Sequence, residues 1–596
     1  MNRLLVSLLA AAALASCLPK VFPTGGMTRY NLDFEHRFRD APTHFRWYAY
    51  APGYDLSADT TCFHHGRASL KIERKDSLSG EYAFLNQELA ADAAGRDVCL
   101  TGWVRTEGLD GALAGIWIGG DDDADWDPAD DWASPSVKGT SGWTQLTVRA
   151  HLSDTAKLIV AAIFMGEGTA WFDDFRVTID GVPLVDSLVP APKSVLTRAE
   201  KRSLKKYIYP LRTCDADGGS TEDLAVLNDL VGGAEVVALG ETTHGSSEIF
   251  RMKDRLVRYL AGNAGFGIFT LEDDMAAGYN VGRYVAGGEG ELQEALSGLY
   301  WMWNTEEMRD LVEWMRACND PALRIAYTGM DMQMFYQELY TLLGAFSEEK
   351  PMYKLIGELA RIFSAVNEAR SDPFVITPPQ MLAAAEPLLV QLEQRVAALS
   401  DEEAEAFSVP AGGSGRAWLL QNIVLLRQYL AGVPDRDRFM AENLLWIRGR
   451  NPGTPIVVWA HNGHICKTDG LMGGYLRDSL GEGYVNFGFA FAEGVCSYIG
   501  DRGIGSYEAQ PAYPGTLEYL LAQLDEPIFV LDLKKMREAD DPVLKWIDAM
   551  EFRVIGYLKA MREFYPERVS EAFDYLIFIR ESTPSHLLGQ NDGTNS

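Results

Sequence analysis

From about Pro190 onward, short apolar runs alternate with long stretches of helical periodicity, and this alternation constrains the fold more than any other feature. It is typical of an α/β domain whose helices connect the strands of a mostly parallel central sheet. Residues 333–448 show helical periodicity without a convincing strand, which predicts a helical insertion beside the sheet. The predicted strands are Glu235–Leu239, Gly267–Leu271, Arg324–Gly329, Pro455–Ala460, Tyr484–Ala490, Pro527–Leu531 and Asp574–Arg580.

The residues before this domain have the short alternating segments of an all-β sandwich. A chain of 596 residues also exceeds the roughly 250 to 300 residues that one hydrophobic core usually serves. We therefore predict a multidomain chain, with an all-β domain over residues 31–186 and the α/β domain over residues 190–596. The predicted strands of the first domain include Ala68–Ile72, Val98–Val104, Ala114–Ile118, Trp143–Val148 and Lys157–Phe164.

The two ends of the first domain carry sequence features of their own. It opens with Asn31–Glu35 and closes with Ala170–Phe175, and Gly66–Leu70 lies between them. These segments resemble the galactose-binding-like jelly rolls found in many carbohydrate-binding modules. The resemblance implies a jelly-roll sandwich with a carbohydrate-binding role and a structural calcium near the chain ends. Glu35 and Asp174 would then supply oxygen ligands, which calcium prefers.

Two tryptophans of this domain are candidates for a glycan-binding surface. Trp126 lies within the acidic run Asp121–Asp131, and Trp132 follows it directly. Aromatic rings in a loop are available to stack on sugar rings, whereas most aromatic residues of a sandwich fill its core. We expect glycan binding, if this domain has it, at these two residues.

The N-terminus has the features of an export signal. Met1–Arg3 carries one positive charge, and the apolar run Leu4–Ala13 is too short to span a bilayer. The following Leu14–Cys17 resembles the lipobox of bacterial lipoproteins, which implies that residues 1–17 hold a signal peptide and lipobox and that Cys17 becomes acylated. The protein would then be anchored in the bacterial cell envelope, most simply at the outer membrane. The alternative is an ordinary signal peptide with a chance cysteine.

The charge of the chain limits its partners. The formal net charge is -30 and the pI is about 4.7, so the surface repels phosphate backbones. We expect no nucleic-acid partner, and membrane contact only through the lipid anchor.

Ionisable side chains follow four of the predicted strands of the α/β domain. The carboxyl ends of parallel strands are where open α/β sheets place catalytic and ligand-binding groups. Beyond residue 186 the chain has four histidines, and three of them stand at such ends, which predicts one common site. His586 is the exception, and we expect it to be structural or exposed. The residues at the strand ends are Glu241, His244, Glu272, Asp331, His461 and His464.

The order of these motifs resembles the erythromycin esterase family over about residues 232–493. That resemblance implies a hydrolase that cleaves an ester or lactone and requires no cofactor, acting on a small-molecule or glycan ester. The family also includes enzymes grouped with succinoglycan biosynthesis, so a glycan-modifying enzyme of that type is an alternative. The matching segments are Leu239–His244, Glu272, Trp301–Glu306, Glu313–Trp314, Thr328–Asp331, Arg438–Asn443 and Ala460–His464.

The resemblance also implies catalytic roles. The family histidine that matches His244 is the general base that activates water for attack on a lactone carbonyl, which suits an imidazole at neutral pH. Glu241 or Glu272 would orient its other ring nitrogen and stabilise the imidazolium. His461 and His464 would position water or donate hydrogen bonds to the oxyanion.

Three residues are expected to contact the substrate: Lys253, Asp331 and Trp303. Lys253 stands where the family has an arginine, nine residues after the general base. Because a lysine lacks the planar fork of a guanidinium, we expect the substrate to be oriented differently here.

Two other classes of function stay open from the sequence. Glu241, His244, Glu272, His461 and His464 offer nitrogen and oxygen ligands, so a divalent-metal-dependent hydrolase is one alternative. A non-catalytic surface glycan-binding protein is the other, although such a protein would not need this set of side chains. The sequence contains neither GxSxG nor HExxH, which disfavours a serine esterase of the α/β-hydrolase type and a zincin-type metalloprotease.

Overall fold

The chain forms two compact units. The computed structural model describes residues 27–38, 41–42, 47–50, 54–74, 82–120, 135–189, 192–318, 324–371, 379–409, 411, 413–500, 503–557 and 563–588. One unit extends to Ser194, and the other contains most of the chain from Val195 onward. Cys17, Trp126 and Trp132 lie outside the described residues. Within the described ranges, no helix is both long enough and apolar enough to cross a membrane.

The first unit is a β-sandwich built around two long antiparallel strands. Its strands, in chain order, are β1 (Met27–Thr28), β2 (Arg37–Phe38), β3 (Ala41–Pro42), β4 (Trp47–Tyr50), β5 (Tyr54–Asp59), β6 (Ser69–Arg74), β7 (Tyr82–Leu89), β8 (Asp97–Gly120), β9 (Ser136–Val137), β10 (Ser141–His151), β11 (Leu158–Ile179), β12 (Val182–Pro183) and β13 (Leu188–Val189). The pairing between β8 and β11 shifts register around Gly166 and Gly168, whose φ angles are 91° and 116°. These left-handed conformations favour glycine.

This bend divides β8 and β11 between two layers. β10, β6 and β5 extend the half that contains the end of β11, whereas β9, β7 and β4 extend the other half. The Tyr54 ring of β5 contacts the Phe164 ring of β11 across the core, with centroids 5.5 Å apart. The predicted all-β sandwich is therefore confirmed, but Val98–Val104 and Ala114–Ile118 belong to one strand rather than two.

The two proposed calcium ligands have protein partners. Glu35 Oε1 accepts hydrogen bonds from the backbone N–H groups of Arg67 and Ala68, at 2.6 and 3.2 Å. Asp174 pairs with Arg176 at 2.9 Å. In the described part of the chain, no group of three or more His, Cys, Asp and Glu side chains is arranged to hold a metal ion. The calcium expectation therefore has no support.

The second unit contains a mixed sheet with a parallel centre, in the order β14-β21-β24-β19-β15-β18-β16-β17. Pairing is parallel from β24 to β17, and antiparallel for β14, β21 and the hairpin partner β20. The seven predicted strands are all present, and the sheet is mostly but not entirely parallel. Its strands and the short β22–β23 pair are β14 (Ile208–Pro210), β15 (Val236–Leu239), β16 (Ile268–Asp274), β17 (Ala326–Asp331), β18 (Ile456–Trp459), β19 (Tyr484–Gly500), β20 (Gly503–Glu508), β21 (Ile528–Asp532), β22 (Glu551–Arg553), β23 (Phe564–Pro566) and β24 (Tyr575–Ser582).

The central strands are buried along their whole length, as expected for parallel strands covered on both faces. Every residue of β15 and β18 is buried. The α-helices are α1 (Arg198–Leu204), α2 (Leu227–Leu230), α3 (Ser247–Ala264), α4 (Met275–Val285), α5 (Leu292–Leu296), α6 (Glu306–Ala317), α7 (Tyr336–Ala345), α8 (Lys350–Ser371), α9 (Pro379–Ala397), α10 (Asp401–Glu405), α11 (Gly415–Ala431), α12 (Arg436–Arg450), α13 (Asn462–Ile465), α14 (Met472–Leu480), α15 (Leu517–Leu521), α16 (Leu533–Glu538), α17 (Leu544–Ile547) and α18 (Val569–Ala572).

Helices α7 to α12 form the predicted insertion between β17 and β18. They have a hydrophobic cluster of their own, which includes Phe335, Leu359, Leu389 and Leu426. The last helix, α12, begins at Arg436 and leads back to β18. The insertion therefore delivers the first turn of α12 to the part of the sheet where the ionisable residues were predicted.

Candidate active site

The three predicted histidines lie together at the carboxyl edge of the parallel strands. The His244 and His461 ring centroids are 5.1 Å apart, and those of His461 and His464 are 6.5 Å apart. His244 follows β15, and the other two follow β18, which pairs directly with β15. The adjacency of these two strands explains why residues more than 200 positions apart meet.

His244 has one ring nitrogen bound and the other open. Its Nδ1 lies 2.6 Å from Glu241 Oε1, and because an ionised carboxylate only accepts, Nδ1 carries the proton. Nε2 has no hydrogen-bond partner among the residues that the structure describes. The loop passes tightly against its neighbours, since a Cβ at Gly240 would collide with Asn462 and one at Gly245 with the Ser497 backbone.

Two further donors bind the other carboxylate oxygen of Glu241. Its Oε2 accepts hydrogen bonds from Lys253 Nζ at 2.7 Å and Trp459 Nε1 at 2.8 Å. Burial opposes the charge of Glu241, but Lys253 and His244 outweigh it and lower the pKa of this carboxyl. Burial also lowers the pKa of Lys253 to about 8, although Glu241 favours its charged form. Glu241 is therefore a charged partner for His244.

His461 has both ring nitrogens committed to backbone groups. Nε2 lies 2.9 Å from the Ile555 carbonyl oxygen, so Nε2 carries the proton. Nδ1 accepts the Gly463 N–H at 3.1 Å and caps the short helix α13. Burial, followed by the nearby His244, lowers the pKa of His461 to about 4. The His461 ring is thus neutral, and neither of its nitrogens is free to accept a proton from a water molecule.

His464 is surrounded by charged groups. Its Nδ1 lies 2.8 Å from Asp437 Oδ1, and its Nε2 lies 2.9 Å from Arg436 Nη1 and 3.2 Å from Glu272 Oε1. Burial favours the neutral ring, but the two carboxylates outweigh burial and Arg436 and raise the pKa of His464 to about 10. Both nitrogens of this ring therefore also have protein partners.

Glu272 links the second histidine to the charged end of the site. Its Oε2 accepts the His461 backbone N–H at 2.7 Å, and its Oε1 accepts from Arg436 Nη2 at 2.9 Å. Burial opposes its charge, but His464 and Arg436 hold the pKa of Glu272 well below its usual range. Of the two glutamates expected to orient His244, it is therefore Glu241 that contacts the ring in this structure.

The expected substrate-binding residues Lys253, Asp331 and Trp303 are all fully buried. Lys253 holds Glu241, and Asp331 holds Arg436. Trp303 donates its indole N–H to the Glu272 carbonyl at 3.0 Å and packs edge-on against His244. All three support the residues of the site, and none of them presents accessible surface to a substrate in this structure.

Arg436 belongs to this site, although the sequence analysis did not single it out. Its Nε lies 3.1 Å from both Asp331 oxygens, and its Nη2 lies 2.7 Å from Asp331 Oδ2. The spacing of residues along α12 could have identified Arg436. It lies four residues before Met440 and seven before Asn443, so it shares a helix face with these two buried residues. Arg438, within the family-like segment, lies on the exposed side instead and pairs with Asp435 and Glu442.

The candidate metal ligands already have hydrogen-bond partners within the protein. Both oxygens of Glu241 and both ring nitrogens of His461 have hydrogen-bond partners. None of the described residues form a group of three or more His, Cys, Asp and Glu that is suited to a metal ion. The metal-dependent alternative therefore gains no support from the geometry.

Comparisons with known proteins identify the second unit. Putative hydrolase YbfO of Bacillus subtilis (strain 168) is 23% identical over 424 residues, which cover 65% of this chain and 91% of that protein. Erythromycin esterase type II of Escherichia coli is 23% identical over 341 residues, which cover 51% of this chain and 78% of that protein. The crystal structure of a succinoglycan biosynthesis protein has a TM-score of 0.53 and 25% identity, and the alignment covers 65% of this chain and 97% of that one.

The sequence profile of the erythromycin esterase family matches residues 262–582, which is more than half of the chain. The match contains Glu272, Asp331, Arg436 and the two histidines after β18. Glu241 and His244 precede it, so their place in the site rests on the geometry. This match, together with the curated hydrolase and esterase relatives, shows an ester-hydrolysing enzyme: the chain belongs to the erythromycin esterase family.

Proposed function

We propose that His244 is the general base of this hydrolase and that it activates water for attack on an ester or lactone carbonyl. The observation that carries the proposal is the open Nε2 of His244, since both ring nitrogens of His461 and His464 have protein partners. A general base needs a nitrogen that is unprotonated and within reach of water. Within the described site, His244 meets that requirement best.

The reaction is a simple hydrolysis in two steps. His244 Nε2 takes a proton from water while the water oxygen bonds to the carbonyl carbon, and Glu241 stabilises the imidazolium through Nδ1–H. The tetrahedral intermediate then expels the alcohol oxygen, which takes the proton back from Nε2. Lys253 and Trp459 keep Glu241 charged and fixed throughout.

We propose a small-molecule or glycan ester as the substrate class. The relatives support both a small-molecule ester and a glycan ester, because one is named an erythromycin esterase and another a succinoglycan biosynthesis protein. A screen that separates them would incubate the protein with erythromycin A, an O-acetylated polysaccharide and a succinylated polysaccharide. Mass spectrometry would detect the gain of one water molecule or the release of the acid.

The base is tested by His244→Ala, assayed on whichever of these compounds the parent protein hydrolyses. We expect turnover to fall roughly 100- to 10,000-fold, as is typical of general-base removal, while the circular dichroism spectrum stays that of the parent. His586→Ala is the matched control, because His586 is more than half exposed and pairs with Glu307 at 2.8 Å instead of joining the site. A His244→Ala protein with near-parental turnover would contradict the mechanism.

We also propose that the protein is exported and anchored through an acylated Cys17. Its lipobox-like Leu14–Cys17 motif supports this proposal.

A further inference from the structure

We infer that Arg436 is a further catalytic residue, which donates an Nη1–H to the carbonyl oxygen of the ester as that oxygen becomes an oxyanion. The inference rests on the proposed ester hydrolysis and extends it, because His244 and Glu241 account for the proton but not for the charge on the oxygen. That charge is where preorganised donors contribute most to catalysis.

The first argument is a count of the guanidinium protons. A guanidinium has five N–H bonds. Nε–H and the two Nη2–H bonds are directed to Asp331 and Glu272. At Nη1 the only partner among the described residues is His464 Nε2, at 2.9 Å. Whether or not His464 carries a proton at Nε2, at least one Nη1–H has no acceptor within the described part of the chain.

The second argument is that this group is fixed. Asp331 is fully buried and binds Arg436 through both oxygens, while Glu272 holds Nη2 from another direction. A bidentate pair fixes the plane of the guanidinium as well as its position. The side chain of Arg436 is only 15% exposed, so its remaining N–H is held in place with little freedom to reorient. A donor of this kind needs little reorganisation when the charge develops.

The third argument is that the N–H donors of the other residues described for the site are already engaged or fully buried. The His461 N–H groups go to Ile555 and Glu272. Lys253 lies beneath Glu241 and is fully buried, and the Trp303 and Trp459 indole N–H groups bind Glu272 and Glu241. His464 adds positive charge beside Nη1, because the pKa of its ring is raised to about 10. Arg436 is therefore the site residue best placed to meet an oxyanion.

The test compares Arg436→Ala and Arg436→Lys with Arg438→Ala. Arg438 is the matched control, since it lies two residues along α12 and forms only partly exposed pairs with Asp435 and Glu442. The assay uses erythromycin A or the acylated polysaccharide that the parent hydrolyses. We expect kcat to fall about 100- to 1,000-fold in Arg436→Ala, as for loss of an oxyanion donor, with KM changed less than about threefold. Arg438→Ala should resemble the parent.

Chemical rescue separates a catalytic role from a structural one. Adding methylguanidine to Arg436→Ala should restore turnover with saturation, whereas methylammonium at the same concentration should not, because it lacks the planar fork. If Arg436→Ala does not fold, Arg436→Lys tests the same role through kcat alone, because its side chain leaves no space for methylguanidine. We expect it to lose roughly tenfold or more in kcat, since a lysine lacks the planar fork.

The outcomes also distinguish this inference from the proposed function. A folded Arg436→Lys or Arg436→Ala protein with parental kcat, in a parent that depends on His244, overturns the role of Arg436 alone. Loss of kcat without rescue by methylguanidine makes Arg436 a structural residue and likewise overturns the inference. A parent that hydrolyses none of the three compounds counts against the proposed function first, and against the inference with it.

Discussion

The three histidines of the site differ in what their second ring nitrogen contacts, and this contact decides the chemistry available to each ring. His461 gives both nitrogens to backbone groups and is held neutral. His464 lies between carboxylates and Arg436. His244 has a carboxylate on one side and no described partner on the other. The sequence predicted where all three lie, because each follows a strand. The family resemblance implied a general base at His244 and a choice of roles for His461 and His464. The contacts that distinguish the rings, with Ile555, Gly463 and Asp437, could not be predicted, because the fold alone brings these residues close.

A prediction at this scale concerns Lys253, the fully buried lysine that donates a hydrogen bond to Glu241. In Lys253→Met the charge that lowers the pKa of Glu241 is lost, so burial should raise that pKa. Protonated Glu241 no longer stabilises the imidazolium. The loss of activity on acidification should therefore begin at a higher pH than in the parent, which moves the acidic limb of kcat/KM to higher pH. Removing one partner of a buried pair also costs about 3 to 5 kcal/mol of stability.

The matched variants are Lys253→Arg and Lys205→Met. The arginine keeps the charge next to Glu241 and should leave the acidic limb unchanged, while Lys205 forms an exposed ion pair with Asp525 far along the chain. The measurement is the pH dependence of kcat/KM, with thermal unfolding alongside it. An acidic limb of Lys253→Met that coincides with that of the parent would show that Lys253 does not set the charge of Glu241.

At the scale of elements, the strand ends and the insertion build the site together. β15, β16, β17 and β18 are adjacent in the sheet, so the side chains that follow them meet. This part was readable from the sequence, because buried parallel strands are continuous apolar runs. The contribution of α12 could not be predicted from the sequence, because the side of a helix that faces the site depends on how the insertion packs. The short strands β14, β20, β22 and β23 were also not predicted, because segments of three to six residues carry little periodicity.

A prediction at this scale concerns the contact between the insertion and the sheet. Glu338, in the first turn of α7, and Asp274, at the end of β16, are both fully buried. Neither carboxylate oxygen of Glu338 has a hydrogen-bond partner among the described residues. Asp274 Oδ1 accepts from the first turn of α4, at 2.9 Å from Ala277 N. Burial, followed by the Asp274 charge, raises the pKa of Glu338 well above its usual range, and the pKa of Asp274 is raised to about 6.

A carboxyl whose pKa is raised on folding is neutral in both states at low pH. Its penalty grows as the pH rises above the unfolded-state pKa and levels off above the folded-state pKa. Glu338→Gln should therefore match the parent near pH 4.5 and exceed its free energy of unfolding by about 1 to 3 kcal/mol at pH 8, since one pKa unit corresponds to about 1.4 kcal/mol. Urea unfolding at both pH values measures this, with the exposed Glu348→Gln as control. Equal stability of parent and Glu338→Gln at pH 8 would contradict it.

At the scale of the whole molecule, the two-part architecture was predictable because the rhythm of the sequence changes between the sandwich and the α/β domain. The compact units of the structure divide at Ser194 and Val195. The sequence did not predict that β8 is one strand that passes through both layers. The bend near Gly108 interrupts the alternation of apolar and polar residues that marks a strand. Gly108 has a φ of 67°, and glycine leaves no side-chain pattern to follow.

The last prediction concerns where the whole molecule resides. A net charge of -30 gives the protein no electrostatic attraction to anionic headgroups, so membrane binding should depend on the acyl chains at Cys17. Buried methylenes contribute about 0.8 kcal/mol each, and more than one chain is needed for stable anchoring. The parent should therefore partition with membranes and into Triton X-114, and Cys17→Ala should stay in the aqueous phase. Cys62→Ala is the control and should partition like the parent. Firm membrane binding by Cys17→Ala would contradict the lipid anchor.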